Sequence, residues 1–278
     1  MISVQLTGGL GNQMFSYAAA LSAATRLRTD LGIIRERNVP DRPYLLDKLQ
    51  VPQNFVSPAF ARGRFSRRIS RLLDRRTYRE PSFFYDEKFN RIPDGTTIEG
   101  YFQSWRYFDG VDSEVRNHFS IKEKLDGMNA LLAERIQGTS NAISLHVRRG
   151  DYLKPAHAGT HGVLSIEYYR RAVGYIKAFV PNATFFVFSD DMDWAAQNIV
   201  PNYPAVAVVG NNNKPWADMA LMSLCNHHII ANSSFSWWGA WLNAKQDKKV
   251  IAPRQWFSEG AMRRNNTCDL YPADWCLL

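Results

Sequence analysis

From residue 139 onward the chain alternates between short apolar runs and amphipathic segments, and this rhythm restricts its fold more than any other feature. The runs are "AISLHV", "ATFFVFS", "AVAVV", "HIIA" and "KKVIA". Between them lie "SIEYYRRAVGYIKAFV", a helical segment opening at Met192, "PWADMALMSLCNH" and "SSFSWWGAWLNAK". Short β-type runs divided by segments of helical period are parallel strands joined by crossover helices. The second half therefore reads as a doubly wound, Rossmann-like α/β domain.

The first half carries the same signature less densely. "ISVQL" is a short strand, "TGGLGNQ" a glycine turn and "MFSYAAALSAATRLR" an alanine-rich helix, which together make a βα unit with a glycine joint. "TTIEGYFQS", residues Thr96 to Ser104, alternates like a strand, and "IKEKLDGMNALLAERIQG", Ile121 to Gly138, reads as a helix closed by a C-cap glycine. A chain of 278 residues is long enough for two such domains. The division is set at 1–138 and 139–278, with the last residues free to pack back on the first domain. No internal repeat is visible.

No segment approaches the roughly 18 consecutive apolar residues of a membrane span. "MISVQLTGGLGNQ" lacks the basic leader and apolar core of a signal peptide, so a cytoplasmic protein is expected. Cys225, Cys268 and Cys276 show no metal-type spacing, and an odd number argues against a disulfide framework. The net charge of +8 is concentrated in "ARGRFSRRISRLLDRRTYR", Ala61 to Arg79, where eight arginines face one aspartate. Such a run is either a solvated face or, with Phe65, Ile69, Leu72 and Leu73 at helical spacing, a basic amphipathic helix on an anionic surface. A membrane face or a lipid-linked phosphate would fit Arg62–Arg79. The rest of the chain has no matching basic face, which argues against nucleic acid.

Ligands of open parallel sheets bind beyond the carboxyl ends of the strands. Three unusual clusters fall on that edge: "HVRRGDY", "SDDMD" and "NSSFSWW". Guanidinium forks at Arg148 and Arg149 suit phosphate or carboxylate. Asn232 reads as an N-cap, so the amides of Ser233, Ser234 and Phe235 would open a helix and offer an anion site, with Phe235 a flat face for a base. The chain has no GxxxxGK[ST] loop, and "TGGLGNQ" is not GxGxxG. A diphosphate held without those loops suggests a sugar nucleotide.

"GGLGNQMFSYA", "HVRRGDY" and "DMALMSLCNHHIIANSSFSWWGAWL" resemble, in order and spacing, the three signature blocks of the α-1,2-fucosyltransferases, glycosyltransferase family eleven. The resemblance runs along almost the whole chain. It implies a GT-B architecture of two Rossmann-like domains with an active-site cleft between them, an acceptor-side first domain and a GDP-fucose-binding second one. It also implies GDP-β-L-fucose as donor, inversion to an α-fucoside at O2 of a terminal galactose, and no required metal or other cofactor. Two alternatives stay open: a fucosyltransferase of different regiochemistry, and a non-catalytic GDP- or glycan-binding module. The sequence does not specify an oligomeric state, and a lipid-linked oligosaccharide acceptor is one expectation for the arginine run.

Arg148 is assigned to the donor β-phosphate, whose growing charge must be met by fixed cations and amides. Arg149, its neighbour, is expected to point the other way and make a structural contact. His146 is either a phosphate or fucose ligand or a satisfied core histidine. Asp151 either holds Arg148 or acts as base, with Glu167 and His157 as other base candidates. By resemblance, Asp218 accepts hydrogen bonds from guanine, while Gly11, Asn12 and Gln13 orient fucose or the acceptor hydroxyl. Gly8, Gly9 and Gly11 would let backbone approach closely. "SDDMD" imitates a metal-binding DxD run, but Asp190 is read as an acceptor near the nucleotide and Asp191 as a helix cap. Trp237, Trp238 and Trp241, at helical spacing, are read as core.

Overall fold

The computed structural model describes residues 1–35, 43–57, 76–154, 159–208, 211 and 214–278. Its contacts divide the chain into two compact units, Met1–Lys122 with Asn265–Tyr271, and Glu123–Arg264 with Pro272–Leu278.

In the first unit, β1 (Ile2–Leu6), β2 (Leu31–Arg35), β3 (Thr77–Arg79) and β4 (Thr97–Glu99) form a parallel sheet in the order β2-β1-β4-β3. Helix α1 (Leu10–Leu27) buries Ala18, Ala19, Ala20, Ala23 and Ala24, small residues that let a helix lie close to its sheet. It begins earlier than "MFSYA", at Leu10, so the last residues of the supposed glycine turn already belong to its first turn. The strand read over Thr96–Ser104 stops at Glu99, because Gly100 and Phe102 adopt positive φ of 155° and 53°. Phe102 is then driven into an aromatic cluster, its ring 5.1 Å from Tyr107 and 5.6 Å from Phe89. Helix α2 (Asp112–His118) closes this unit's regular structure among the described residues. The end of the arginine run is strand β3 instead of helix, while 58–75, hence Arg62 to Arg75, lies outside the described residues.

The second unit holds β5 (Ala142–Val147), β6 (Thr184–Ser189), β7 (Ala205–Ala207), β8 (His227–Ile229), β9 (Val250–Ala252) and β10 (Cys276–Leu277). All pair in parallel, in the order β10-β9-β8-β5-β6-β7. Its helices are α3 (Gly127–Gln137), α4 (Ile166–Lys177), α5 (Met192–Asn198), α6 (Pro215–Leu224), α7 (Ser234–Leu242) and α8 (Glu259–Met262). The two-residue β10 and the strands β2 and β3 were not evident from the sequence. Helix α3 belongs here and not to the first half, because Leu132 and Ile136 are buried with Phe186, Leu221 and Met222. The boundary therefore falls near Lys122 and not at 138.

Alternation along β5 explains both layers. Ile143, Leu145 and Val147 join Phe185 and Val187 under α4 residues Tyr169, Ala172 and Val173, while Ala142 joins Phe186 and Phe188 on the α3 and α6 side. Ser144 of this central strand is satisfied: its Oγ meets His228 Nδ1 at 2.7 Å, and Asn243 Nδ2 donates to His228 Nε2 at 2.8 Å. Since Nε2 accepts, Nδ1 carries the proton toward Ser144, and burial holds the His228 pKa well below its ordinary value. Helices α6 and α7 pack closely at Gly239, where a Cβ would stand 2.9 Å from Met222 Cβ and Sδ.

Strand order reverses between β5 and β8, whose residues Ile143 and Leu145 pair with His227 and Ile229. In doubly wound sheets that switch point, at the carboxyl ends, is where the crevice for a ligand opens.

Candidate functional site

β5 delivers its polar end beside the switch point. Alternation returns Arg148 to the side of His146 and sends Arg149 to the opposite one. Arg149 Nε lies 3.3 Å from Asp191 Oδ2, and its guanidinium stacks 4.3 Å above the Trp194 ring. This is the structural contact expected of it. Asp191 also caps α5, accepting from Trp194 N at 3.1 Å.

Arg148 is gripped by two carboxylates. Its Nη2 is 2.8 Å from Asp151 Oδ2, and its Nε is 3.3 Å from Asp190 Oδ2. The second contact is an ion pair without hydrogen-bond alignment, so the Nε–H lacks a hydrogen-bond partner among the described residues. Asp190 Oδ1 accepts from Arg149 N at 2.8 Å, which anchors that carboxylate to the β5 end. Burial works against the Arg148 charge, but Asp190 and Asp151 more than offset it, and the pKa is raised. A guanidinium has five N–H donors, so donors remain for a further oxyanion. The carboxylates of "SDDMD" that reach this place, Asp190 and Asp191, are occupied with arginines and a helix start.

His146 is buried, and burial, helped by the charge of Arg148, brings its pKa down to about 3. The imidazole is neutral at pH 7. Its Nδ1 has no hydrogen-bond partner among the described residues, so it is not a satisfied core histidine. Its ring centroid lies 5.7 Å from that of Phe235.

Across the switch point, α7 starts one residue later than expected. Ser233, not Asn232, is its N-cap, and the Ser233 amide is spent on Ala231 O at 2.8 Å. The helix-opening amides therefore begin at Ser234 and Phe235. Asn232 does not cap, because its Nδ2 donates to Gly162 O at 2.8 Å and Trp256 O at 3.1 Å. Its buried Oδ1 has no partner among the described residues. Trp237 and Trp238 are fully buried and Trp241 nearly so, with Trp237 stacked 6.2 Å from Trp241 and tilted against Trp275 at 5.3 Å, so they are core.

Asp218 stands in the first turn of α6, where the helix dipole favours its charge and burial opposes it; burial wins, and the pKa is pushed up to about 6. Asn211 Nδ2 donates to its Oδ1 at 2.6 Å. Glu167, a base candidate, is on an exposed turn of α4 with Arg170 3.9 Å away. His157 lies outside the described residues.

In the first unit, Asn12 Oδ1 accepts from Gln103 Nε2 at 2.8 Å. Gln13 corrects the expectation made for it. Its Nε2 donates to Gly8 O at 2.9 Å and Pro43 O at 2.8 Å, and its Oε1 accepts from Leu45 N at 3.1 Å. It is buried and stitches the 43–45 segment to the start of α1, leaving no polar atom to orient a sugar. Gly11, buried in the helix's first turn, is equally enclosed.

The model of glycosyl transferase family 11 matches residues 1–278. The chain belongs to glycosyltransferase family 11. Two relatives from Escherichia coli span nearly all of it. "O-antigen biosynthesis glycosyltransferase WbnK" is 35% identical over 91% of this chain and 94% of its own. "Alpha-1,2-colitosyltransferase" is 34% identical over 99% of this chain and 98% of its own. Among solved structures, a FUT1 variant from Arabidopsis thaliana in complex with GDP covers 90% of this chain and 69% of that one at 14% identity and a TM-score of 0.53, a likeness of fold. The family 11 chain is thus α/β of the GT-B type, with a parallel sheet in each Rossmann-like unit.

Sequence reasoning missed two features of this glycosyltransferase. Glu80, just after β3, has Oε2 accepting from Tyr101 N at 2.8 Å and Phe102 N at 2.9 Å, and Gly100 is required there because a Cβ would come 2.5 Å from Glu80 Cβ. Burial pushes the Glu80 pKa up to about 7 against those amides, with Asp269 adding to the rise. The other is the pair Asn129 and Asn211, which nothing in their separate neighbourhoods joins. Among the described residues no helix is long and apolar enough to cross a membrane.

Proposed function

We propose that this family 11 glycosyltransferase moves L-fucose from GDP-β-L-fucose to O2 of a terminal galactose, with inversion to an α-fucoside and without a required metal. One observation carries the reading. Arg148, fixed between Asp151 and Asp190, stands at the carboxyl end of β5, next to β8 and the chain that opens α7, and three buried polar atoms there have no hydrogen-bond partner among the described residues: Arg148 Nε, His146 Nδ1 and Asn232 Oδ1. Buried polar groups are nearly always paired, so such a cluster marks a place for a polar ligand.

In this reading the galactose O2 attacks C1 of fucose opposite the phosphate. The C1–O bond breaks, its electron pair leaves with GDP, and the O2 proton passes to a base. Arg148 and the first amides of α7 meet the charge growing on the β-phosphate, fixed in place before the reaction begins. Asp151 Oδ2 is committed to Arg148 at 2.8 Å, which suits it to hold the arginine better than to take a proton. Asp218 offers its carboxylate to the guanine N1–H and exocyclic amine, a donor pair that adenine does not present. The first unit is the acceptor side, with Asn12 and its Gln103 partner the residues to orient the sugar.

A second donor is favoured by a specific observation. The relative named as an α-1,2-colitosyltransferase aligns over 99% of this chain. Colitose is fucose without its 3-hydroxyl, so the same phosphate and guanine contacts would serve. The name of the other relative points to an O-antigen repeat as acceptor, which would be carried on a lipid phosphate.

The test is a screen of GDP-fucose and GDP-colitose against galactose-terminated oligosaccharides, with and without EDTA, reading the linkage by NMR. An α-linked sugar at O2, insensitive to EDTA, is expected. A product at another hydroxyl, a β-linkage, or hydrolysis without transfer would overturn the assignment.

A further inference from the structure

Asp218 does not stand alone: a three-residue relay of side chains from two helices and the segment before α6 fixes it. Asn129 of α3 and Asn211 exchange two hydrogen bonds, Asn129 Nδ2 to Asn211 Oδ1 at 2.9 Å and Asn211 Nδ2 to Asn129 Oδ1 at 2.8 Å. The same Asn211 nitrogen donates to Asp218 Oδ1 at 2.6 Å. Both asparagines are more than nine-tenths buried.

The geometry determines each group. A reciprocal amide pair fixes which end of each side chain is oxygen, since turning Asn211 over would set its carbonyl against a carboxylate and break both bonds to Asn129. Asn211 therefore faces Asp218 as a donor and cannot turn without losing three hydrogen bonds. Asp218 Oδ1 is tied on one side, and the tie restrains rotation of the carboxylate. A carboxylate has about four acceptor positions, so Oδ2 and the remaining lone pair of Oδ1 stay available to a ligand edge bearing two adjacent donors.

We propose that Asn129 and Asn211 are positioning residues for nucleobase selection, holding Asp218 in the orientation that distinguishes a guanine edge with two donors from an edge with one. The inference rests on the assignment of Asp218 to guanine and adds the residues that make its carboxylate discriminating. A carboxylate free to rotate would bind a single donor about as well as two. A fixed one rewards both together, because each polar group left unmatched on a buried surface is penalised.

The experiment compares GDP with inosine diphosphate, which keeps N1–H and lacks the exocyclic amine, by calorimetric titration of the full chain and of Asn211→Ala, Asn129→Ala and Asp218→Asn. In the unsubstituted protein GDP binds more tightly than inosine diphosphate. Asn211→Ala should weaken GDP about tenfold while changing inosine diphosphate far less, so that discrimination shrinks. Asn129→Ala, which leaves the bond to Asp218 in place, should move the ratio the same way by a smaller factor, and provides the reading if Asn211→Ala does not fold. In turnover the loss should fall on the donor KM and leave kcat near its original value. A merely structural pair would lower the melting temperature and leave the ratio unchanged, and that result overturns the proposal. If Asp218→Asn also keeps the full ratio, the guanine assignment itself has failed; if Asp218→Asn loses it while both asparagine variants keep it, only the relay has.

Discussion

Arg148 and Asp151, three residues apart, meet with 2.8 Å between Nη2 and Oδ2, so the guanidinium is set by its own loop before any substrate arrives. Asp190, from the next strand, fixes the other side at 3.3 Å from Nε. A cation held in this way needs little reorganisation when charge develops near it, and this is the source of its catalytic value.

Replacing Arg148 by alanine should therefore lower kcat by about a hundred- to a thousandfold. Arg148→Lys keeps the charge but not the planar fork and should fall between the two. Single-turnover release of GDP from GDP-fucose measures both. Wild-type turnover by Arg148→Ala would remove Arg148 from the mechanism.

The carboxyl-edge prediction succeeded because it rested on periodicity, which tertiary packing reinforces: β5, β6 and β8 each end at one of the polar clusters picked out in the sequence. The cap of α7 was misplaced by one residue because Asn232 is an excellent capping residue in isolation, but Gly162 O and Trp256 O hold its Nδ2 and so orient the side chain, and its Oδ1 accepts from no helix amide among the described residues. Gln13 looked functional for the same reason. Its polarity is visible in sequence, and the 43–45 backbone that consumes it is not. Strands β3 and β10 are two or three residues long, too short for alternation to register. The Asn129–Asn211 pair joins residues 82 apart and leaves no local trace.

Binding of GDP should depend on pH through Asp218. Its pKa, pushed up by burial to about 6, means that the carboxylate is ionised above that pH and protonated below. Only the ionised form accepts from both guanine donors. Affinity for GDP should be level from pH 7 to 8 and fall as pH drops below about 6. Asp218→Asn should bind more weakly and lose this pH dependence, as titration calorimetry across pH 5 to 8 would show.

Stability should respond to Glu80. The unfolded carboxyl titrates near 4.5 and the folded one near 7, so the folded state holds the proton more tightly. Its contribution is present in full below pH 4.5 and is lost as pH rises through 7. Glu80→Gln, which cannot ionise, should gain on the wild type by about 1 to 3 kcal/mol between those limits. Urea unfolding at pH 5 and pH 8 measures the difference, and a constant offset between the two proteins would refute it.

Gly239→Ala should cost about 1 to 3 kcal/mol in the same urea assay, because the added methyl needs space already held by Met222 Cβ and Sδ at 2.9 Å. Combined with Met222→Ala, which removes Sδ and keeps Cβ, it should cost less than the two single losses together, since the positions are in contact and their effects will not add.

Asn265–Tyr271 belongs to the first unit, where Asp269 Oδ2 accepts from Tyr85 N at 2.8 Å and Asp269 O from Ser104 Oγ at 3.0 Å. During synthesis those seven residues emerge only after Glu123–Arg264, nearly the whole of the other unit. The first unit thus cannot be completed until Asn265–Tyr271 has been made. Nascent chains stalled before residue 265 would present a folding unit that still lacks its final piece, open to chaperones for longer than its place in the gene suggests.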